Sequence, residues 1–146
     1  MRSVLVKTDR ESLLGRFREL TPEHRPLWGR LSAREMVCHL ADQLAVALGD
    51  ISAKPKGNLF TKTFAKWLVL YLPIPVPKGK VQTVPEMLTT EPSNWEKDIA
   101  RFESLLSRLV DAEILAPHPA FGRLSHRQWS RLAAGHIDHH LRQFGV

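Results

Sequence analysis

A single cysteine, a single tyrosine and an apolar run of at most six residues exclude several classes of protein before any motif is considered. Cys38 has no second cysteine to pair with, so no intrachain disulfide holds the fold, which must rest on a core; that usage predicts a reducing, cytoplasmic setting. The longest apolar run, Trp67-Leu68-Val69-Leu70-Tyr71-Leu72, is far shorter than the about 20 residues a bilayer span requires. The opening MRSVLVKTDRESLL has a charge every few residues and no apolar stretch, so it is not expected to act as a signal peptide. A Gly-rich phosphate loop, a nucleophile-elbow motif, a helix-turn-helix and an RNA-binding signature are also missing. The 146 residues, 43% hydrophobic and 25% charged, are ordinary for one globular domain over 1–146.

Acidic residues are missing from one place in particular. Residues 51–85 contain six lysines (Lys54, Lys56, Lys62, Lys66, Lys78, Lys80) and no Asp or Glu, whereas the remainder balances fifteen basic against fifteen acidic residues. The whole net charge of +6 therefore belongs to one segment. A focused basic patch attracts an anionic ligand, a membrane surface or nucleic acid, and the plainer reading is a loop kept soluble by lysines. Without a recognition motif or an interleaved basic-aromatic stacking platform, nucleic acid is the weakest of these.

Recurring capping boxes mark the helix starts. A Ser or Thr accepts a hydrogen bond from the amide three residues on, and Glu or Gln there reaches back. Thr8-x-x-Glu11, Ser32-x-x-Glu35, Ser93-x-x-Glu96 and Ser125-x-x-Gln128 fit, and Leu31/Met36 and Leu124/Trp129 supply hydrophobic staples. Each box leads an apolar stripe of helical period. Leu13, Leu14, Phe17 and Leu20 predict a helix at 8–20; Met36, Val37, Leu40, Leu44 and Leu48 one at 32–48. Trp95, Ile99, Phe102, Leu106 and Leu109 predict a third at 93–110; Trp129, Leu132, Ala133, Ile137 and Phe144 a fourth at 125–144. Apart from Ser3–Val6 no stretch alternates as a strand would, so the expected fold is an all-α four-helix bundle. The long connection at 49–92 carries Phe60, Phe64, Trp67, Leu68 and Tyr71 at helical spacing. They predict a short extra helix at 59–72, ended by Pro73, Pro75 and Pro77, with its aromatics capping the bundle; the alternative is that the amphipathic stretch Phe60–Leu72 rests in a membrane interface. Such a crossover allows helix three to run parallel to helix two. Aromatics such as Trp67 are also compatible with a homodimer.

Seven histidines are the chain's most informative feature. His136 and His140 lie one turn apart, about 40° around the axis, within the apolar stripe of the last helix. Two core-facing imidazoles need partners: a shared metal ion, or hydrogen bonds to backbone and neighbouring side chains. His39, on the edge of the second helix's stripe, is the third candidate ligand. Asp42 and Gln43, one turn after His39, and Gln143, one turn after His140, are candidate outer partners or ligands of a metal-bound water. Ile137 stands where a zincin has its glutamate, which makes a metalloprotease a poor reading. His139 either replaces a ligand or faces solvent; His24, His118 and His126 read as surface residues, and Cys38 as packing.

Three segments carry a resemblance to a known family: LWGRLSAREMVCHLAD at 27–42, VPKGKVQTVPE at 76–86 and HPAFGRLSHRQWSRLAAGHIDHHLRQFGV at 118–146. With the helix order they resemble the DinB-like (DinB/YfiT) superfamily, and the ending HIDHHLRQFGV looks most like a branch of bacterial domains of unknown function. The resemblance implies an up-down-down-up bundle with metal ligands at His39, His136 and His140. For some members it also implies a low-molecular-weight thiol as cofactor or acceptor in a transferase reaction. Imidazole ligands themselves suit zinc, nickel, copper or iron, and zinc or nickel is the expected divalent metal. Two functional expectations follow. One is a metal-dependent transferase or hydrolase acting on a small-molecule substrate, since three protein ligands leave a coordination position open. The other is a non-catalytic, metal-stabilised bundle that binds a partner, anionic lipid or nucleic acid through the lysine-rich 54–80 segment.

Overall fold

A computed structural model describes residues 2–71 and 87–146. The segment VPKGKVQTVPE at 76–86, Lys78, Lys80 and the three prolines after Leu72 lie outside the described residues. Among the described residues the fold is all-helical: α1 (Lys7–Phe17), α2 (Ala33–Leu48), a π-helical turn (Thr61–Ala65) leading into α3 (Lys66–Tyr71), α4 (Trp95–Asp111) and α5 (His126–Gln143). No strand occurs among them, and residues 3–6 form a turn leading into α1, not the alternating strand their pattern suggested.

The capping boxes at Ser32 and Ser125 form in full, each hydroxyl accepting from the amide three residues on while Glu35 or Gln128 bonds back to the cap amide. The other two do not. Helix α1 starts earlier than the Thr8 box predicted, with Val6 at the cap and no side-chain cap bond. There the entry is held instead by the Asp9 carboxylate, which accepts from the Ser3 amide. Before α4 the cap is Asn94, whose side chain accepts from the Lys97 amide, while Ser93 donates its amide and hydroxyl to Asp98. A one-residue slip moves the cap from Ser93 to Asn94 because Asn serves as well as Ser at that position.

Helix α2 is the spine. Thirteen of its sixteen residues are buried, so burial extends well beyond the stripe the periodicity marks. It packs chiefly on α4 and also on α5, while α1 packs on α5. Phe17 of α1 and Phe102 of α4 stack with ring centroids 4.2 Å apart, joining those two helices within the same core. Gly49, at φ 81°, ends α2 in the left-handed conformation that a glycine adopts without strain. The consequence for chemistry is direct: His39, Asp42 and Gln43 all sit on the buried spine, where polar groups need partners.

The extra helix departs from expectation. Phe60, Phe64, Trp67 and Tyr71 are exposed, and Leu70 is the one residue of α3 that is buried, so these aromatics do not cap the core. The segment winds through a π-helical turn at Thr61–Ala65 before α3, and none of that turn's residues is buried.

The two kinds of helix start give different expected costs. Ser32→Ala should destabilise the protein by about 1 kcal/mol in urea unfolding. Thr8→Ala, inside α1 and not at its cap, should change stability by no more than a few tenths, roughly, since Ala is the better helix former.

Candidate metal centre

His39 on α2 and His136 and His140 on α5 converge at the α2–α5 contact. The Nε2 of His136 lies 2.9 Å from the Nε2 of His39 and 3.1 Å from that of His140. No two of the three ligand atoms are more than 4.8 Å apart. Nitrogens sharing a tetrahedral zinc, each at about 2.0–2.1 Å, stand about 3.3 Å apart, so the observed spacing is near that of a common ion. His39 and His140 are buried and His136 keeps a partly exposed edge.

Hydrogen bonding decides which nitrogen of each ring carries the proton. The Nδ1 of His39 lies 2.7 Å from the backbone oxygen of Met87, so it must donate there, leaving the Nε2 lone pair aimed into the cluster. His140 is fixed through a longer chain. The Gln143 amide nitrogen donates to the Trp28 carbonyl at 2.6 Å, which turns Gln143 Oε1 toward His140 Nδ1 at 2.7 Å. Nδ1 of His140 is then the donor, and its Nε2 too presents a lone pair. His136 stands between two acceptors. Protonated on Nε2 it can satisfy only one of them; protonated on Nδ1 it adds a third lone pair, and that Nδ1 is buried without a partner. Protein atoms alone leave this cluster short of donors, whereas a cation at its centre accepts all three lone pairs. The residues fit a divalent metal.

The electrostatics agree. Burial depresses the pKa of all three imidazoles: that of His140 to about 3, with His39 adding repulsion, and that of His136 well below its ordinary value, with His140 and His39 adding to the effect. His39 is also lowered, by burial above all. Neutral imidazole is the form that ligates a metal.

The outer positions divide differently from expectation. Gln143 does act on a ligand directly. Asp42 does not approach the histidines: its carboxylate is fully buried and accepts from the amides and hydroxyls of Thr89 and Thr90 and from Arg101 Nη2. Burial raises its pKa, but the Thr90 hydroxyl and the Arg101 guanidinium outweigh that and leave it below the ordinary value. Asp42 anchors the chain two residues beyond Met87, whose carbonyl orients His39, so its influence on the site runs through the backbone. Gln43 makes no hydrogen bond to the histidines, and its buried Oε1 has no partner. It belongs to the buried circumference of α2, which periodicity cannot tell from the site-facing edge.

Other residues sit elsewhere than their spacing suggested. His139 packs its ring edge-on to Trp28 at 6.1 Å, outside the ligand cluster. His24, His118 and His126 are half-buried, not surface residues. His24 Nδ1 accepts from the Thr21 amide, and His126 Nε2 bonds the Leu109 carbonyl. His118 stacks on Phe121 and lies beside Trp129, with its Nδ1 accepting from the amides of Ala120 and Phe121. Cys38, by contrast, is the buried packing residue it was expected to be, its thiol pushed up to about 11 by burial. Sequence reasoning missed three supports of the site. The Met87 and Trp28 carbonyls carry no side-chain signal at all. Gly29 carries a weak one: at φ 85° it admits the Gln143 amide to the Trp28 carbonyl, where a Cβ would collide with Gln143 Nε2.

A family model described as "Protein of unknown function (DUF1569)" matches residues 19–145. The chain belongs to this family. No curated protein and no solved structure matches it. The match takes in all three histidines of the cluster together with Gly29, Asp42, Met87 and Gln143, so the whole centre lies within the family domain.

Two outcomes are expected. Asp42→Asn removes a buried charge from Arg101 and should cost about 3–5 kcal/mol in urea unfolding, against little change for an exposed carboxylate such as Glu11. His118 has its pKa lowered to about 4 by burial, so between about 4 and 6.5 the unfolded chain binds a proton that the native one does not. Its contribution to stability is therefore full above pH 6.5 and is lost as the pH falls toward 4. His118→Asn retains an acceptor for the two amides without titrating, and its melting temperature should fall less steeply than wild type's across that window.

Proposed function

We propose that this protein is a metal-binding, DinB-like four-helix bundle in which His39, His136 and His140 hold a divalent transition ion. The observation that carries the reading is the convergence of three Nε2 atoms, two of them with their lone pairs directed inward by bonds at Nδ1. Zinc and nickel suit an imidazole donor set. In this reading the up-down-down-up order comes from the long connection between α2 and α4, and α1, α2, α4 and α5 are the four bundle helices. The single cysteine, buried and with its thiol pKa raised, is consistent with a cytoplasmic protein whose own sulfur takes no part in the chemistry.

The site is proposed to be catalytic: a thiol-dependent transferase or a hydrolase. Three protein ligands leave a coordination position free, as in catalytic and unlike structural zinc sites. A bound ion supplies Lewis acidity there, lowering the pKa of a thiol or water and presenting it as a nucleophile at neutral pH. The chain's own residues do the rest. Met87 and Gln143 hold the two buried rings in one tautomer, so binding requires no proton rearrangement at His39 or His140. Enclosure of His39 and His140 excludes water from their side of the site, and the partly exposed edge of His136 marks the side open to a substrate.

Elemental analysis of purified wild type beside the His136→Ala, His140→Ala double variant tests the centre. Near-stoichiometric transition metal is expected in the wild type and none in the variant, with a lower melting temperature for the variant. Wild type that stays metal-free after incubation with zinc and with nickel would sink the reading. In a cobalt-substituted protein, adding a low-molecular-weight thiol should produce a thiolate-to-cobalt charge-transfer band. An unchanged spectrum would remove the thiol from the proposal while leaving the metal.

A further inference from the structure

The described part of the lysine-rich segment contributes no ligand to the histidine cluster, and the fold gives it an unexpected neighbour. Residues 114–137 are a second stretch without Asp or Glu, and they contribute Arg123, Arg127 and Arg131. Residues 56–71 of the first stretch are fastened to residues 119–131 of the second. The Lys56 and Gly57 amides donate to the Pro119 carbonyl at 2.9 and 3.1 Å, and Gly57 is required there because a Cβ would collide with the Ala120 carbonyl. Further on, Lys66 Nζ donates to the Arg123 carbonyl at 2.7 Å. At the far end Gln128 donates to the Tyr71 hydroxyl, and the Arg131 guanidinium lies 5.5 Å from the Tyr71 ring centroid. Segments distant in sequence thus merge into one cationic face to which neither contributes a carboxylate.

The same face turns large apolar groups outward. Leu59 is 79% exposed, Phe60 60%, Phe64 55% and Trp67 51%. The Phe60 and Phe64 rings lie 5.4 Å apart, and large exposed apolar groups gathered within nine residues mark an interaction surface. Val69 and Tyr71 are exposed on the following turn.

We propose that this face docks on an anionic membrane surface, its phenylalanines and Trp67 entering the headgroup boundary while the lysines and arginines meet the lipid phosphates and carboxylates. Charge complementarity selects an anionic partner. The outward aliphatic groups then favour lipid over nucleic acid: single strands use flat aromatic rings for stacking but have no use for Leu59 or Val69. A bilayer interface accepts both kinds and places Trp and Tyr at headgroup level. No helix among the described residues is long and apolar enough to cross a membrane.

The test is sedimentation of the full chain with phosphatidylcholine vesicles and with phosphatidylcholine–phosphatidylserine vesicles. Binding to the anionic vesicles alone, weakened by salt, is expected. Phe60→Ser with Phe64→Ser should lower partitioning at least about tenfold, and Lys54→Glu with Lys62→Glu by a similar factor or more. All four positions are exposed, so both double variants should keep the wild-type melting temperature and metal content. Those readouts separate this surface from the histidine centre. Failure to sediment with anionic vesicles would overturn the proposal. So would binding indifferent to the Phe60/Phe64 change and displaced by an oligonucleotide, an outcome that would assign the face to nucleic acid.

Discussion

Helix α2 carries His39, Asp42 and Gln43 on a segment where thirteen of sixteen residues are buried. Burying a polar side chain without partners costs on the order of 1–3 kcal/mol, and burying a carboxylate far more, so the surrounding chain has to answer each of them. Asp42 is answered by Thr89, Thr90 and Arg101, a set that draws the chain leading into α4 tightly onto α2. His39 is answered on one side by the Met87 carbonyl, immediately before that clamp. Much of the architecture around the histidines can be understood as the consequence of this one need.

A second set of constraints reaches the centre from α5. Gln143 is held by the Trp28 carbonyl, and its own backbone carbonyl accepts from the Leu27 amide, so the loop before α2 is laced to the end of α5 at two points. Gly29 makes the approach possible. Rings fixed by a backbone carbonyl on one element and a side-chain amide on another have little freedom to reorient. Preorganisation of this kind lets ligands bind an ion without first paying the conformational entropy of arranging themselves. It also explains why the residues that tune the site are scattered over the loop at 27–29, the end of α5 and the segment after residue 86.

The two ends of the chain's chemistry are kept apart. Imidazoles gather in an enclosed, charge-neutral centre whose depressed pKa values follow from burial, while Lys54, Lys62, Arg123 and Arg127 of the two acid-free stretches are exposed. The 59–71 segment includes the π-helical turn at Thr61–Ala65, and Phe60, Phe64 and Trp67 stand exposed along it. Spacing alone suggests a core-capping role for them.

Much was legible in residue order alone. Helical period, the boxes at Ser32 and Ser125 and the absence of alternating segments determined an all-helical chain, because these signals depend on neighbours within one turn. The three histidines were legible for the same reason, standing on or beside apolar stripes where imidazole is out of place. Tertiary structure decided everything that depends on contacts between distant segments. It chose Gln143 and the Met87 carbonyl as the groups that orient the rings, removed Asp42 to a clamp, buried one side of His118 and turned Phe60, Phe64 and Trp67 to solvent. A backbone carbonyl looks the same at every position in a sequence, and a side chain's partner across the fold has no fixed spacing. Periodicity can show that a helix face is buried, but only packing shows what it is buried against.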